Sequence, residues 1–301
     1  MHPVGRRGFT LIELLVALVL LGIVTVGIYR VLVSNQRMYH AQTQRIELQQ
    51  NIRAAATILP AEFRELAASE GDIYALSATD IRMRAMRQFG VLCQEPILGG
   101  LLSGLPVIVF QGLHNGPPIE GGDSVLLYYE GDEGSRNDDA WWPGRVRSLP
   151  SPAAAPCPNG SSGIAFQVDL QNPPPAGMLN RAGAIPRGGP MRGFQAVRYA
   201  LYQSPTDNLW YLGLDVFSPA TNAWSGIQPL VGPLSGSGGL TFAYFDANGV
   251  VTATPASVAL IEIRVRARTP KPIQRSGTGG GLATPVDSIV TRVALRNNRR
   301  F

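Results

Sequence analysis

The sequence predicts an α+β fold: a long N-terminal helix, membrane-spanning in its first half, packed against an antiparallel β-sheet domain. Three observations predict it. Phe9–Tyr29 is an almost wholly apolar run of 21 residues, about 32 Å of helix and enough to span a bilayer. A helix-period apolar stripe follows from Met38 to Leu66. After residue 70 the apolar residues alternate instead, in short β-branched runs separated by turn-rich stretches.

Residues 1–8, MHPVGRRG, read as a short basic leader ending in glycine. Arg6 and Arg7 ahead of the apolar run favour a cytoplasmic N-terminus, with the rest of the chain outside the inner membrane. An ordinary signal peptide would have a shorter apolar core and a small-x-small site after it. Here Arg30 and a polar helical pattern follow directly. A plain membrane anchor explains the length of the span but not Glu13. A carboxylate at the centre of a span costs about 2.5–3.5 kcal/mol, so it needs a partner. Cleavage between Gly8 and Phe9 would free an α-amine on Phe9, one helical turn from Glu13 at the positive end of the helix dipole. The amine of a packed neighbour would then satisfy the charge only when subunits associate.

The stretch Gly8 to Val24, GFTLIELLVALVLLGIV, resembles the N-terminal signature of type IV prepilins and type II secretion pseudopilins. The resemblance covers about the first 25 residues. It implies that an aspartyl membrane peptidase, the prepilin peptidase, cuts after Gly8, that Phe9 becomes N-methylated, and that Glu13 is the carboxylate used in assembly. It also implies a structural subunit without enzymatic activity or cofactor. The implied partners are other pilins or pseudopilins, an inner-membrane assembly platform and membrane lipid. One departure is Arg30, where many major pilins carry a proline.

From Arg30 onward Met38, Ala41, Leu48, Ile52, Ala55, Leu59, Phe63 and Leu66 form one apolar face, and Arg30, Arg37, Arg45, Glu47 and Arg53 can stay solvated. Pro60 lacks an N–H, so the spacing predicts a helix over about 9–59, a kink, and a shorter helix over about 60–68 started by Glu62 and Glu65. The chain thus divides into a leader (1–8), a transmembrane half-helix (9–29), an amphipathic segment kinked at Pro60 (30–68) and an extracytoplasmic β-rich domain (69–301).

Strands are predicted over Thr79–Met86, Val107–Gln111, Ser124–Glu130, Ile164–Leu170, Ala196–Tyr202, Leu209–Phe217, Leu240–Phe245, Val258–Ala267 and Ser288–Leu295. Asp246–Gly249 reads as a hairpin turn. Gly131–Pro143, Ser148–Ser162, Gln171–Pro190 and Ser276–Gly281 read as loops. Gly90–Cys93, Asp123–Tyr128, Gln228–Val231 and Val293–Asn297 loosely resemble the larger minor pilins, the PilW-type subunits and J-type pseudopilins.

Composition excludes several other classes. Hydrophobic content of 45% with 16% charged residues is globular rather than disordered. The net charge of +5 falls further with the loss of Arg6 and Arg7, too mild for a nucleic-acid partner to be expected. The two cysteines, Cys93 and Cys157, are too few for a zinc site. They are either one disulfide across a long loop, as an exported domain would favour, or two buried thiols. His2, His40 and His114 have no metal-ligand spacing, and neither a nucleophile elbow nor a phosphate-binding loop is present in the sequence. Glu130, Asp132, Glu133, Asp138 and Asp139 match no EF-hand and read as a solvated loop, with calcium as the alternative. Trp141 and Trp142 beside them either anchor a core or meet a partner. Two rival functions remain: a membrane-tethered extracytoplasmic ligand-binding or adhesin domain, and a DNA-uptake subunit using Arg82, Arg84 and Arg87.

Overall fold

The N-terminal helix is one continuous element. In the computed structural model α1 runs from Leu11 to Arg64, 54 residues, with Pro60 inside it. Residues 10–96, 107–113, 118–130, 139–147, 150–154, 156–170, 184–219, 221–274 and 281–296 are described. The division expected at residues 59 and 60 is therefore absent, and α1 ends four residues after the proline. Pro60 gives up one hydrogen bond, to the carbonyl of Ala56, but it lies buried on the same face as Leu59 and Phe63. Burial of Leu59, Phe63 and Leu66, each at 2% exposure or less, holds the last turn in place. The apolar face is also shorter than its periodicity suggests. Met38 is 58% exposed, Ala41 is half-buried, and full burial begins only at Leu48.

A 3₁₀ turn at Ala68–Glu70 leads into β1 (Ile73–Leu76), β2 (Asp80–Leu92), β3 (Val107–Gly112) and β4 (Ser124–Tyr129). The chain continues through β5 (Ala140–Val146), β6 (Ser151–Pro152), β7 (Ile164–Leu170), β8 (Pro190–Gln203), β9 (Trp210–Ser218) and β10 (Ala223–Trp224). It ends with β11 (Gln228–Leu234), β12 (Leu240–Phe245), β13 (Leu260–Arg268), β14 (Ile273–Gln274), β15 (Leu282–Ala283) and β16 (Val286–Ala294). Every pairing between these strands is antiparallel.

Each predicted strand has its counterpart here, and the differences are local. β5 and β6 occupy stretches expected to be loops. β1, β10, β11, β14 and β15 are additional. β2 and β8 run six residues beyond the predicted ends, to Leu92 and back to Pro190. Asp246–Gly249 does form a turn, closed by the Asp246 N–H to the Val250 carbonyl at 2.9 Å, with Gly249 at φ 77°. It returns only as far as a bridge between Phe245 and Val251, and β13 begins later, at Leu260.

β2 and β8 each serve two layers. Asp80–Met86 pairs with Phe194–Ala200 under the helix, and Gln88–Val91 pairs with Pro190–Gly193 beyond it, with a register shift between Met86 and Gln88. Such an extra residue bends a strand and lets it leave one sheet for another. Beyond the bend the ladder β2–β3–β7–β5–β4–β8–β2 closes on itself as a small barrel. Phe110, Phe166, Leu127, Val168 and Met191 fill it. Gly90 makes the closure possible, since a Cβ there would stand 2.0 Å from the Gln111 carbonyl oxygen.

The main sheet, β1-β2-β8-β9-β11 with β13, β12 and β16, packs against the second half of α1. Alternation in β13 buries Ile261, Ile263 and Val265 and leaves Arg264 and Arg266 exposed. Phe63 packs at the centre of this core, edge-to-face with Tyr199 at 6.2 Å and Phe242 at 5.8 Å.

Candidate functional site

Among the described residues, none covers the first half of α1. Its apolar side chains are exposed, from 50% at Val16 to 85% at Leu11. Its most apolar 18-residue window has mean hydropathy 2.8 and is 0% buried. The helix is long and apolar enough to cross a membrane. The hydroxyl of Thr25, a polar group inside the span, donates to the Leu21 carbonyl at 2.7 Å and so satisfies itself locally.

Gly8 and Phe9 lie outside the described residues, as do Arg6, Arg7 and His2. Thr10 is the N-cap of α1, in extended conformation. Thr10 and Glu13 form a capping box. The Glu13 N–H donates to Thr10 Oγ1, while the Thr10 N–H and hydroxyl both donate to Glu13 Oε2, all at 3.3 Å. This local role for Glu13 was legible in the spacing Thr10-Leu11-Ile12-Glu13, a Thr-x-x-Glu ahead of an apolar run, but sequence reasoning passed over it.

The capping bonds are long, and N-caps contribute typically about 1 kcal/mol. Glu13 lies about 9 Å along the axis from the centre of the span, so the 2.5–3.5 kcal/mol above is the upper end of its cost in lipid. The box offsets part of that cost and supplies no positive charge. The carboxylate is thus partly satisfied, exposed, and able to accept from a further donor.

The far end of the helix is tied down. The Arg64 carbonyl accepts from the Arg296 N–H at 3.0 Å, and the Ala67 N–H donates to Asp72 at 2.8 Å. Glu62 on the last turn pairs with Arg87 of β2 at 2.8 Å. Burial and the nearby Glu62 carboxylate push the Tyr199 phenol behind this pair up to about 12. Arg84 pairs with Asp72 at 2.5 Å, and Arg82 lies 3.9 Å from Asp80, which also pairs with Arg198. Arg87 therefore ties β2 to the helix and Arg84 ties it to the residue ahead of β1, while Arg82 stays 44% exposed.

Cys93 and Cys157 form a disulfide, with Cα atoms 4.9 Å apart and a sequence separation of 64 residues. It lies at one side of the barrel with Val109. Of the acidic cluster, Asp132, Glu133 and Asp138 lie outside the described residues, as does His114. Among the described residues no group of three potential metal ligands converges. Trp142 stacks on Tyr129 at 4.3 Å and packs against the barrel core. Trp141 lies edge-to-face with Tyr128 at 5.7 Å, with Arg192 over its ring at 4.4 Å. His40 is exposed beside Tyr39.

No curated protein and no solved structure matches this chain. A family model does: residues 4–29 match the Prokaryotic N-terminal methylation motif. The match begins in the leader and ends where the apolar run ends. A motif of this kind implies processing by prepilin peptidase and association with other pilins. The methylation motif, continued by a membrane-length helix and an antiparallel β domain, supports a type IV pilin-like identity for this chain.

Proposed function

We propose that this chain is a minor pilin or pseudopilin. It is stored in the inner membrane with its β domain on the periplasmic side, cut between Gly8 and Phe9, and methylated on Phe9. It is then assembled through α1 into a type IV pilus or a type II secretion pseudopilus. The observation that carries the reading is the two-part character of α1. Its first half carries the methylation motif and is exposed throughout, while its second half is locked into a large domain. An apolar surface of that size needs lipid before assembly and other helices after it. The size of the β domain and the barrel inserted in it favour a minor subunit.

Glu13 supplies specificity in this reading. Its capping box is local, so its charge is left for the α-amine of a neighbouring subunit. Glu13→Gln separates the two roles, because glutamine still closes a capping box but carries no charge. The test compares membrane and sheared-filament fractions of cells expressing each form. Glu13→Gln is expected at wild-type level in the membrane and at least about tenfold depleted in filaments, the effect of losing about 1.4 kcal/mol of subunit affinity. Equal incorporation of the two forms would contradict the charge-pairing role. The ion pairs of Arg84 and Arg87 disfavour the DNA-uptake alternative.

A further inference from the structure

The sheet face turned away from α1 carries a cleft of about 320 Å³ where the main sheet meets the barrel. Alternation puts it there. Ile81, Met83 and Ala85 point into the helix core, so Arg82 and Arg84 point to the opposite side. Four aromatic rings line the cleft: Tyr74 of β1, Phe194 of β8, and the Phe217–Trp224 pair of the β9–β10 hairpin, edge-to-face at 5.5 Å. Asp123, Ser124 and Arg145 supply its polar side. Gly122 brings barrel and hairpin together. It sits at φ 96°, and a Cβ there would stand 2.3 Å from Cβ of Pro219.

Asp123 is only 9% exposed. Its Oδ2 accepts the Glu120 N–H at 2.8 Å, and among the described residues no cationic side chain donates to it. Burial pushes the carboxyl up to about 6. Arg145 donates its Nε–H to the Gly122 carbonyl at 3.1 Å, on the opposite side of the same turn.

We propose that this cleft binds a neutral saccharide of one or two pyranose rings. A sugar has apolar C–H faces that lie against aromatic rings, and hydroxyls that donate to a carboxylate and accept from a guanidinium. The cleft offers all three surfaces at once. A cationic ligand fits less well, because the guanidinium groups of Arg82, 5.8 Å from the Trp224 ring centroid, and Arg84, 4.8 Å from that of Phe194, already place positive charge beside two of the rings. An anion would meet the buried Asp123 with Glu120 beside it. The site lies on the face opposite the helix, away from the apolar surface that the assembly reading uses.

The test uses the full chain in a sugar-free detergent such as lauryldimethylamine oxide, followed by tryptophan fluorescence and saturation-transfer NMR. Maltose, cellobiose, lactose and N,N′-diacetylchitobiose are the probes. At least one is expected to saturate the protein below about 10 mM. Asp123→Asn should weaken that binding at least about tenfold through the lost charged hydrogen bond. Trp224→Ala should abolish it, while Trp141→Ala, outside the cleft, leaves it unchanged. Asp123→Asn is nearly isosteric and remains informative if Trp224→Ala does not fold. Failure of all four sugars to bind up to about 50 mM would overturn the proposal. So would binding that Asp123→Asn leaves unchanged, or binding of tetramethylammonium in place of the sugars. None of these outcomes depends on filament formation, so the assembly reading stands or falls separately.

Discussion

Two demands meet on the Glu13 carboxylate. As the last member of a Thr-x-x-Glu box it starts a helix, and as a charge inside an apolar span it seeks a cation. Thr10→Ala removes the box but keeps the charge, so it should fray the first turn at a cost of about 0.5–2 kcal/mol while leaving most filament incorporation intact. Hydrogen exchange of the first-turn amides measures the fraying. Equal loss of incorporation in Thr10→Ala and Glu13→Gln would mean that the cap, not the charge, is what assembly requires. Asp123 gives a second residue-scale expectation. Its carboxyl is at about 6 in the folded chain against an ordinary 3.8. Between those values the folded chain holds the extra proton, so this group's contribution to stability falls as pH rises from about 4 to 6 and stays constant above. Asp123→Asn should therefore gain stability relative to wild type over that window, on the order of 1–2 kcal/mol after solvent screening. Urea unfolding at either end of the window reads the difference, and parallel curves for the two proteins would contradict it.

At the scale of elements, the helix and the sheet are joined by a few large side chains. Phe63 is 0% exposed and touches both Tyr199 and Phe242, so Phe63→Ala should destabilise the domain by about 3–5 kcal/mol, measured by denaturant unfolding. The disulfide belongs to the barrel. Reducing the bond between Cys93 and Cys157 should cost about 2–4 kcal/mol, with loss of hydrogen-exchange protection in β3 and β7 before the main sheet. Simultaneous loss of both layers would show that the barrel does not unfold separately. Much of this architecture was legible in the sequence, and the exceptions have physical causes. β13 reads cleanly because one of its faces meets the core and the other meets solvent. β5 was hidden because Pro143 and Gly144 break the strand pattern, and its two tryptophans instead pack across to Tyr128 and Tyr129. Pro60 marks a boundary in the sequence but not in the helix, because periodicity does not report how much burial lies beyond a proline. Met38 fits the helical stripe but lies beyond the reach of the domain. Pairing of β2 with β8, which creates both the barrel and the cleft, joins residues from 99 (Val91 with Pro190) to 120 (Asp80 with Ala200) apart and leaves no local signal.

Over the whole molecule, α1 changes role along its length. Nothing in the main core or the barrel precedes Leu48, and the helix up to Leu32 is exposed. A chain starting at Val33 should therefore stay folded and become soluble without detergent, with a thermal midpoint close to that of the full chain. A truncated chain that aggregates or melts well below the intact protein would contradict this division of labour. The cleft proposed for a saccharide lies on the far side of the sheet from this helix.

The central claim is that this chain is a precursor whose assembly helix is freed by cleavage ahead of Phe9. Intact-mass and N-terminal peptide spectrometry of the protein purified from cells with an active prepilin peptidase tests it most directly. The account predicts a chain that has lost residues 1–8 and begins with Phe9 carrying one added methyl group of about 14 Da. A chain that retains Met1 and an intact Gly8–Phe9 bond in those cells would contradict it.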